Sequence, residues 1–276
     1  MNIDNVLFFD TETTDLPERS ANWETDFDKF PHIVQMAWIL GCKVENHIIR
    51  PEGWEIPQES VDIHGITTEY AMEHGEPFAA VVDMFIQDCH EAELVCAHNI
   101  YFDTSIIKAN ILRELGREYY DANGVENALW KGKRIDTMRS TMKWVDARRA
   151  DGRLKFPNLS ELYSRCFPGE TFPAHNALED AKAIAKCLPV IVELGLVELK
   201  VKEYPEMAPD DFKTISKTPE RTVEIAPVQK TAGNGPILDR SKKDDKLPIQ
   251  QDKAPQNGNS AKITGIAAEL LDANEF

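Results

Sequence analysis

The run Val6-Leu7-Phe8-Phe9 passes straight into Asp10-Thr11-Glu12, and that junction constrains the fold more than any other part of the chain. Four apolar residues in succession read as a buried strand. Such a strand delivers two carboxylates at its C-terminal end. Asp10 and Glu12 are two residues apart, so in an extended chain both side chains point to the same face. Two acids on one face make a poor core and a good site for a hard cation. The motif becomes informative because further acids recur where metal chemistry would need them.

The apolar pattern lays out the rest of the domain. His32–Leu40 and Lys43–Arg50 read as two more strands with Gly41 near the turn, which predicts an antiparallel meander with the first strand. Phe78, Val81, Val82 and Phe85 give Pro77–His90 a helical spacing. Leu94–Ala97 is a short buried strand. Phe102, Ile106, Ala109, Leu112 and Leu115 then follow a three-to-four spacing and predict a helix. Asn158 with Glu161 opens another helix as a capping pair, and Asn176 with Glu179 repeats that signature. This last helix runs toward Leu188; Pro189 is expected to kink or restart it and Gly195 to end it. Strands first, then alternating strands and helices, make residues 1–200 an α/β domain with a mixed sheet.

Beyond residue 200 the composition changes. The last 76 residues hold seven of the 16 prolines and three aromatics, Tyr204, Phe212 and Phe276. Segments such as Lys242–Lys246 and Gln256–Ser260 cannot build a core, so residues 201–260 read as a disordered linker. In 261–276, Ile263, Ile266, Ala267 and Leu270 share one helical face. A short amphipathic segment after a flexible tether reads as a docking peptide.

Composition excludes some functions. The 276 residues contain no apolar run of about 18 or more, so no membrane span is expected. Met1–Asn5 is acidic and leads into a strand, unlike a signal peptide. The five cysteines are odd in number, dispersed and without zinc spacing, which predicts reduced thiols in a cytoplasmic setting. A net charge of −16 argues against avid, non-specific nucleic-acid binding. It leaves open an enzyme that grips only a strand end. The sign also varies along the chain. Residues 131–155 carry nine positive side chains against Asp136, Asp146 and Asp151, a net +6, with Trp130, Trp144 and Phe156 within or beside them. Basic groups with interleaved rings suit a single strand; a solvated helix face over core tryptophans is the alternative.

Two more elements join the acids of the first strand. His98-Asn99-Ile100-Tyr101-Phe102-Asp103 follows the strand Leu94–Ala97 and enters a helix, placing Asp103 near a helix start beyond a strand end. His175-Asn176-Ala177-Leu178-Glu179-Asp180 puts Asp180 in a first helical turn and His175 on the loop outside it.

In this order the three segments resemble the Exo I, Exo II and Exo III motifs of the DEDDh 3′→5′ exonucleases, the DnaQ-like group that includes polymerase proofreading subunits. Phe8–Thr14 is similar to Exo I, His98–Asp103 to Exo II, and His175–Asp180 to Exo III of the histidine branch. Ile63–Thr67 and Arg134–Thr137 also fit, and the likeness covers about residues 4–195. It implies an RNase H-like fold, a mixed five-stranded sheet flanked by helices. It also implies that Asp10, Glu12, Asp103 and Asp180 hold two Mg²⁺ or Mn²⁺ ions, and that His175 is the general base. Thr13 and the backbone of Thr11–Thr14 match positions that contact the terminal nucleotide. His64 and Phe102 match positions beside its base, while His98 and Asn99 brace the motif. The expected partner is the 3′ end of a single-stranded nucleic acid, DNA rather than RNA, with a polymerase or clamp engaged through the tail and no membrane. An exoribonuclease and a non-catalytic binding module are the alternatives. One departure is the long loop Leu16–Phe30, between Asp15 and His32, whose Glu18, Glu24, Asp26 and Asp28 are expected to restrict which polyanions enter.

Overall fold

The apolar run at the N-terminus becomes the middle strand of a five-stranded sheet. The computed structural model describes residues 3–200; the linker expected over 201–260 and the docking segment expected over 261–276 lie outside the described residues. The strands are β1 (Val6–Thr13), β2 (Ile33–Leu40), β3 (Lys43–Ile48), β4 (Leu94–Ala97) and β5 (Arg134–Asp136), in the order β3-β2-β1-β4-β5. β1 with β2 and β2 with β3 are antiparallel, the expected meander, whereas β4 joins β1 and β5 joins β4 in parallel. Parallel neighbours need long crossovers, and helices supply them. They are α1 (Gln58–His64), α2 (Thr68–His74), α3 (Phe78–Glu91), α4 (Ile100–Glu114), α5 (Gly116–Ala122), α6 (Val125–Ala128), α7 (Thr137–Val145), α8 (Leu159–Cys166) and α9 (Ala177–Glu193). The fold is α/β, a mixed sheet with helices on both faces.

The period-two alternation of β1 sorts the molecule into two cores. Leu7 and Phe9 pack with Trp38, Val81, Phe85, Ile106 and Ile107 on the face covered by α3 and α4. Val6 and Phe8 pack with Leu94, Cys96, Leu162, Ile184 and Leu188 on the face covered by α8 and α9. Each such side chain, fully buried, contributes about 1.5–3 kcal/mol. Trp38 is fully buried, and its indole N–H donates to Asp88 Oδ2 at 2.6 Å. Lys43 Nζ closes the arrangement at 2.7 Å from the same oxygen, so the buried carboxylate is paired.

Three expectations change. β1 extends to Thr13, past the apolar run Val6–Phe9 and the Asp10 that follows it, because β2 offers partners as far as Ile33. α4 was expected to bury one stripe but is buried almost all round, including Lys108 and Asn110. Its outer side is covered by the loop between β1 and β2. Asn110 Nδ2 donates to Pro31 O at 2.9 Å, Arg113 donates to Phe30 O at 2.8 Å, and Lys108 Nζ stands 4.8 Å over the Trp23 ring. Trp23 in turn stacks on Tyr120, and Glu24 pairs with Arg117 at 2.8 Å. Finally, α9 does not restart at Pro189 but continues as one helix from Ala177 to Glu193. Proline leaves the Ala185 carbonyl without its helical donor, but Ile184, Leu188 and Ile191 on either side are held in the second core. Gly195, at φ +69°, ends the helix as expected. Leu196 N–H bonds Ile191 O and Gly195 N–H bonds Val192 O, both at 2.9 Å, a Schellman closure.

Candidate active site

The same alternation decides which acids meet. Asp10 and Glu12 continue the Val6 and Phe8 face of β1, toward α9; Thr11 continues the Leu7 and Phe9 face, toward α4. Asp180, in the first turn of α9, therefore approaches Asp10 and Glu12 directly. One oxygen from each of the three lies within 4.8 Å of the others. Asp103 arrives from the opposite face, in the first turn of α4, and is 2% exposed. Thr11 Oγ1 donates to its Oδ1 at 2.9 Å and fixes it behind the strand.

His175 sits on the exposed loop before α9 with φ +66°, a left-handed conformation that costs a non-glycine residue of order 1 kcal/mol or more. The turn is held because His175 N–H donates to Asp180 Oδ2 at 3.1 Å. Asn176 caps α9 through Glu179 N–H at 3.3 Å. A full capping box, with the glutamate returning the bond, forms at Asn158 and Glu161.

The remaining expected residues take different places. His64 ends α1; its Nδ1 accepts Ile66 N–H at 3.1 Å, and its Nε2 is buried without a hydrogen-bond partner among the described residues. Burial, and then the nearby His175, push its pKa down. Thr13 Oγ1 donates to Asp15 O at 2.7 Å. Phe102 is half-buried and packs against the first core. His98 braces the second motif as expected: Nδ1 meets Thr137 Oγ1 and Nε2 meets Pro157 O, each at 2.9 Å. Burial lowers its pKa to about 4, so it is neutral. Asn99 N–H donates to Asp136 Oδ1 at 3.3 Å, which also caps α7 through Arg139 N–H at 3.1 Å.

Without a cation, burial and neighbouring carboxylates raise the pKa of each acid. Burial, then Asp103, Asp180 and Glu12, hold the Asp10 carboxyl far above the ordinary range. Burial, then Asp180 and Asp103, raise Glu12 to about 8. Burial lifts Asp103 to about 7 against the bond from Thr11, and Asp180 to about 7 against the bonds from His175 and Asn176. Oxygen-only donors under mutual repulsion fit a hard divalent cation, and a bound cation would relieve that repulsion.

The basic segment is largely committed to its own surroundings. Lys133 Nζ donates to Cys89 O and Arg134 to Leu129 O. Arg148 pairs with Asp146, Arg153 with Asp151 and Lys155 with Glu161. Arg139 lies over Phe156, and Arg165 over Trp144.

The sequence model of the RNase_T exonuclease family matches residues 7–188, a span that holds all four acids and His175. The chain belongs to the RNase_T exonuclease family. The acidic cluster of Asp10, Glu12 and Asp180 suits the divalent metals that this family typically uses. Among solved structures the fold is similar to Escherichia coli exonuclease I bound to a dA16 oligonucleotide, with TM-score 0.50, 18% identity, and coverage of 68% of this chain and 40% of that one. The same enzyme bound to a dT13 oligonucleotide matches with TM-score 0.50 and 18% identity over 67% of this chain and 40% of that one. A product-bound exonuclease I matches with TM-score 0.50 and 18% identity over 69% and 44%. The matched region spans 40–44% of the length of these exonuclease I chains. No curated protein sequence is significantly similar to the chain. Among the described residues no helix is long and apolar enough to cross a membrane.

Sequence reasoning missed Thr11, Asp136 and Thr137 as supports of the site. Thr11 had a signal: a hydroxyl between two acids on a strand must point to the opposite face. Asp136 and Thr137 lie in the segment Arg134–Thr137 that fits the family likeness, but their partners, the Asn99 amide and His98, stand on another element and have no local signal.

Proposed function

We propose that the chain is a metal-dependent 3′→5′ exonuclease of the DEDDh type, which hydrolyses the terminal phosphodiester bond of a DNA strand and releases a 5′-nucleoside monophosphate. One observation carries this reading: oxygens of Asp10, Glu12 and Asp180 converge within 4.8 Å, with Asp103 in their field and His175 bonded to Asp180. Asp10, Glu12, Asp103 and Asp180 would hold two Mg²⁺ or Mn²⁺ ions, which when bound supply Lewis-acid stabilisation of phosphoryl oxygens and an acidified water.

The rest is the work of the chain. The His175 imidazole takes the proton from the attacking water. Its loop lets the ring approach, while the α9 turn holds Asp180 in place. The water attacks the terminal phosphorus in line with the departing 3′-oxygen of the preceding nucleotide. Thr13 and the backbone around it contact the terminal nucleotide, and His64 and Phe102 flank its base. The presence of all five site residues favours an enzyme over a binding module. DNA as substrate draws support from the dA16 and dT13 oligonucleotides bound by exonuclease I. Residues 201–276 tether this domain to a polymerase or clamp, in replication or repair.

The test is a paired digestion. 5′-Labelled single-stranded DNA and its RNA counterpart are incubated with Mg²⁺ or Mn²⁺, with and without EDTA, using wild type and Asp10→Ala. A ladder shortening from the 3′ end, sensitive to EDTA and absent in the mutant, is expected, faster on DNA. Faster RNA trimming would make the chain an exoribonuclease; no shortening of either polymer would make it a binding module. Deleting 201–276 should leave the ladder intact and abolish partner capture.

A further inference from the structure

β2 is an apolar strand, Ile-Val-Gln-Met-Ala-Trp-Ile-Leu, with one amide in it. Gln35 is 2% exposed, so both ends of that amide need partners. Its Nε2 donates to Asn46 Oδ1 at 2.7 Å, its diagonal neighbour on β3. Its Oε1 accepts Ala177 N–H at 3.2 Å, a contact between residues 142 apart in sequence.

Ala177 is the first residue of α9, and its N–H is one of those a helix start leaves without an internal acceptor. Asn176 satisfies Glu179 N–H but not this one. Gln35 also lies directly opposite Glu12 in the β1–β2 register, on the same face of the sheet. One cross-strand pair therefore carries a site acid on β1 and, beside it, the amide that grips the helix presenting Asp180. The Ala177 N–H, which can only donate, requires Oε1 to face α9, and Asn46 Oδ1 takes up the Nε2 left at the other end of the Gln35 amide.

We infer that Gln35, anchored at its other end by Asn46, is a positioning residue. It fixes the start of α9 against the sheet, and so sets the spacing between Asp10 and Glu12 on one element and Asp180 and His175 on another. This inference rests on the metal-dependent reading of the site. Groups that orient a cation's ligands from behind typically change metal affinity or activity 10–100-fold when removed. Misplacement of reacting groups by about 1 Å costs on the order of 100-fold. A residue that only satisfied the helix end would change stability and leave the cation requirement untouched.

The experiment uses the full chain as wild type, Gln35→Met, Asn46→Ala, Asn46→Asp and Asp10→Ala. Gln35→Met keeps the length and removes both bonds. Asn46 is exposed, so its variants report on the same amide without disturbing the core should Gln35→Met fold poorly. Three quantities are read: Mn²⁺ binding by the loss of its free EPR signal, kcat and KM on labelled single-stranded DNA, and exchange of the Ala177 amide proton. Gln35→Met and Asn46→Ala should weaken Mn²⁺ binding and lower kcat by about 10-fold, with KM within about 2-fold and faster Ala177 exchange. Asn46→Asp, which keeps an acceptor for Nε2, should behave as wild type. Wild-type Mn²⁺ binding and kcat in Gln35→Met and Asn46→Ala would overturn the assignment, even with a lower Tm. A wild type that neither binds Mn²⁺ nor cleaves would instead overturn the metal-dependent reading, and this inference with it.

Discussion

A hydroxyl, a turn and four carboxylates govern the chemistry at the scale of single residues. Thr11 Oγ1 is the side-chain donor on Asp103. Thr11→Val keeps the shape and leaves a buried carboxylate under-satisfied, a change that costs about 1–3 kcal/mol. Activity should fall about 10-fold or more, read as kcat at saturating Mn²⁺. His175→Ala should lower kcat by about 100- to 10,000-fold, the range for a lost general base, with substrate binding retained. The acids also make metal-free stability depend on pH. Their folded pKa values, about 8 for Glu12 and about 7 for Asp103 and Asp180, lie above those of the unfolded chain. The folded state therefore binds more protons between about pH 4 and 8, and its stability falls as pH rises through that window. In EDTA the Tm should drop from pH 5 to pH 8.5. Mg²⁺ should raise it more at pH 8.5 than at pH 5, and Asp10→Asn should raise the metal-free Tm at pH 8.5. A Tm in EDTA that is flat or rises over this range would contradict the raised pKa values of the cluster.

Elements place those residues through their ends. α8 opens on a complete capping box, with Asn158 Oδ1 accepting Glu161 N–H at 2.8 Å and Glu161 Oε2 accepting Asn158 N–H at 2.9 Å. Asn158→Ala should cost about 1 kcal/mol of stability and leave kcat unchanged, since α8 supplies none of the acids of the cluster. α9 contains Pro189 on its exposed side. Pro189→Ala restores the missing N–H for Ala185 O and should stabilise the domain by about 1–3 kcal/mol, read from urea melts. Both helices were legible in sequence from their caps. That α9 survives its proline was not, because Ile184, Leu188 and Ile191 are held by residues of other elements.

At the scale of the whole molecule, charge and layering matter more than any one contact. The chain carries −16, yet its proposed substrate is a polyanion. Arg148 and Arg153 in the basic segment are already paired with Asp146 and Asp151. A cation that grips one single-strand phosphate steepens the slope of log affinity against log salt by about 0.7. Reversing Arg148 and Arg153 together should shift that slope by less than one such contact, as measured by anisotropy with a labelled oligonucleotide. A shift of about 1.4 or more would show that these arginines leave their aspartates for the strand. The loop between β1 and β2 is a second global feature. Trp23 on Tyr120, Lys108 over Trp23 and Arg117 with Glu24 bind it to α4 and α5, so Glu24 is held against α5.

Local order was readable because it has a period. The spacing of two placed Asp10 and Glu12 on one face, the apolar runs marked β1, β2 and β4, and asparagines with a glutamate three residues on marked the starts of α8 and α9. The three-residue β5 and the short helices α1, α2, α5 and α6 carry too few turns or alternations for a period to emerge. Tertiary structure alone decided which faces meet. Asp103 reaches the site from behind the sheet and is held by Thr11, 92 residues away, and the start of α9 is held by Gln35, 142 residues away. Bonds over such separations exist only once the sheet has formed and brought their elements together, and no local pattern in the sequence encodes them.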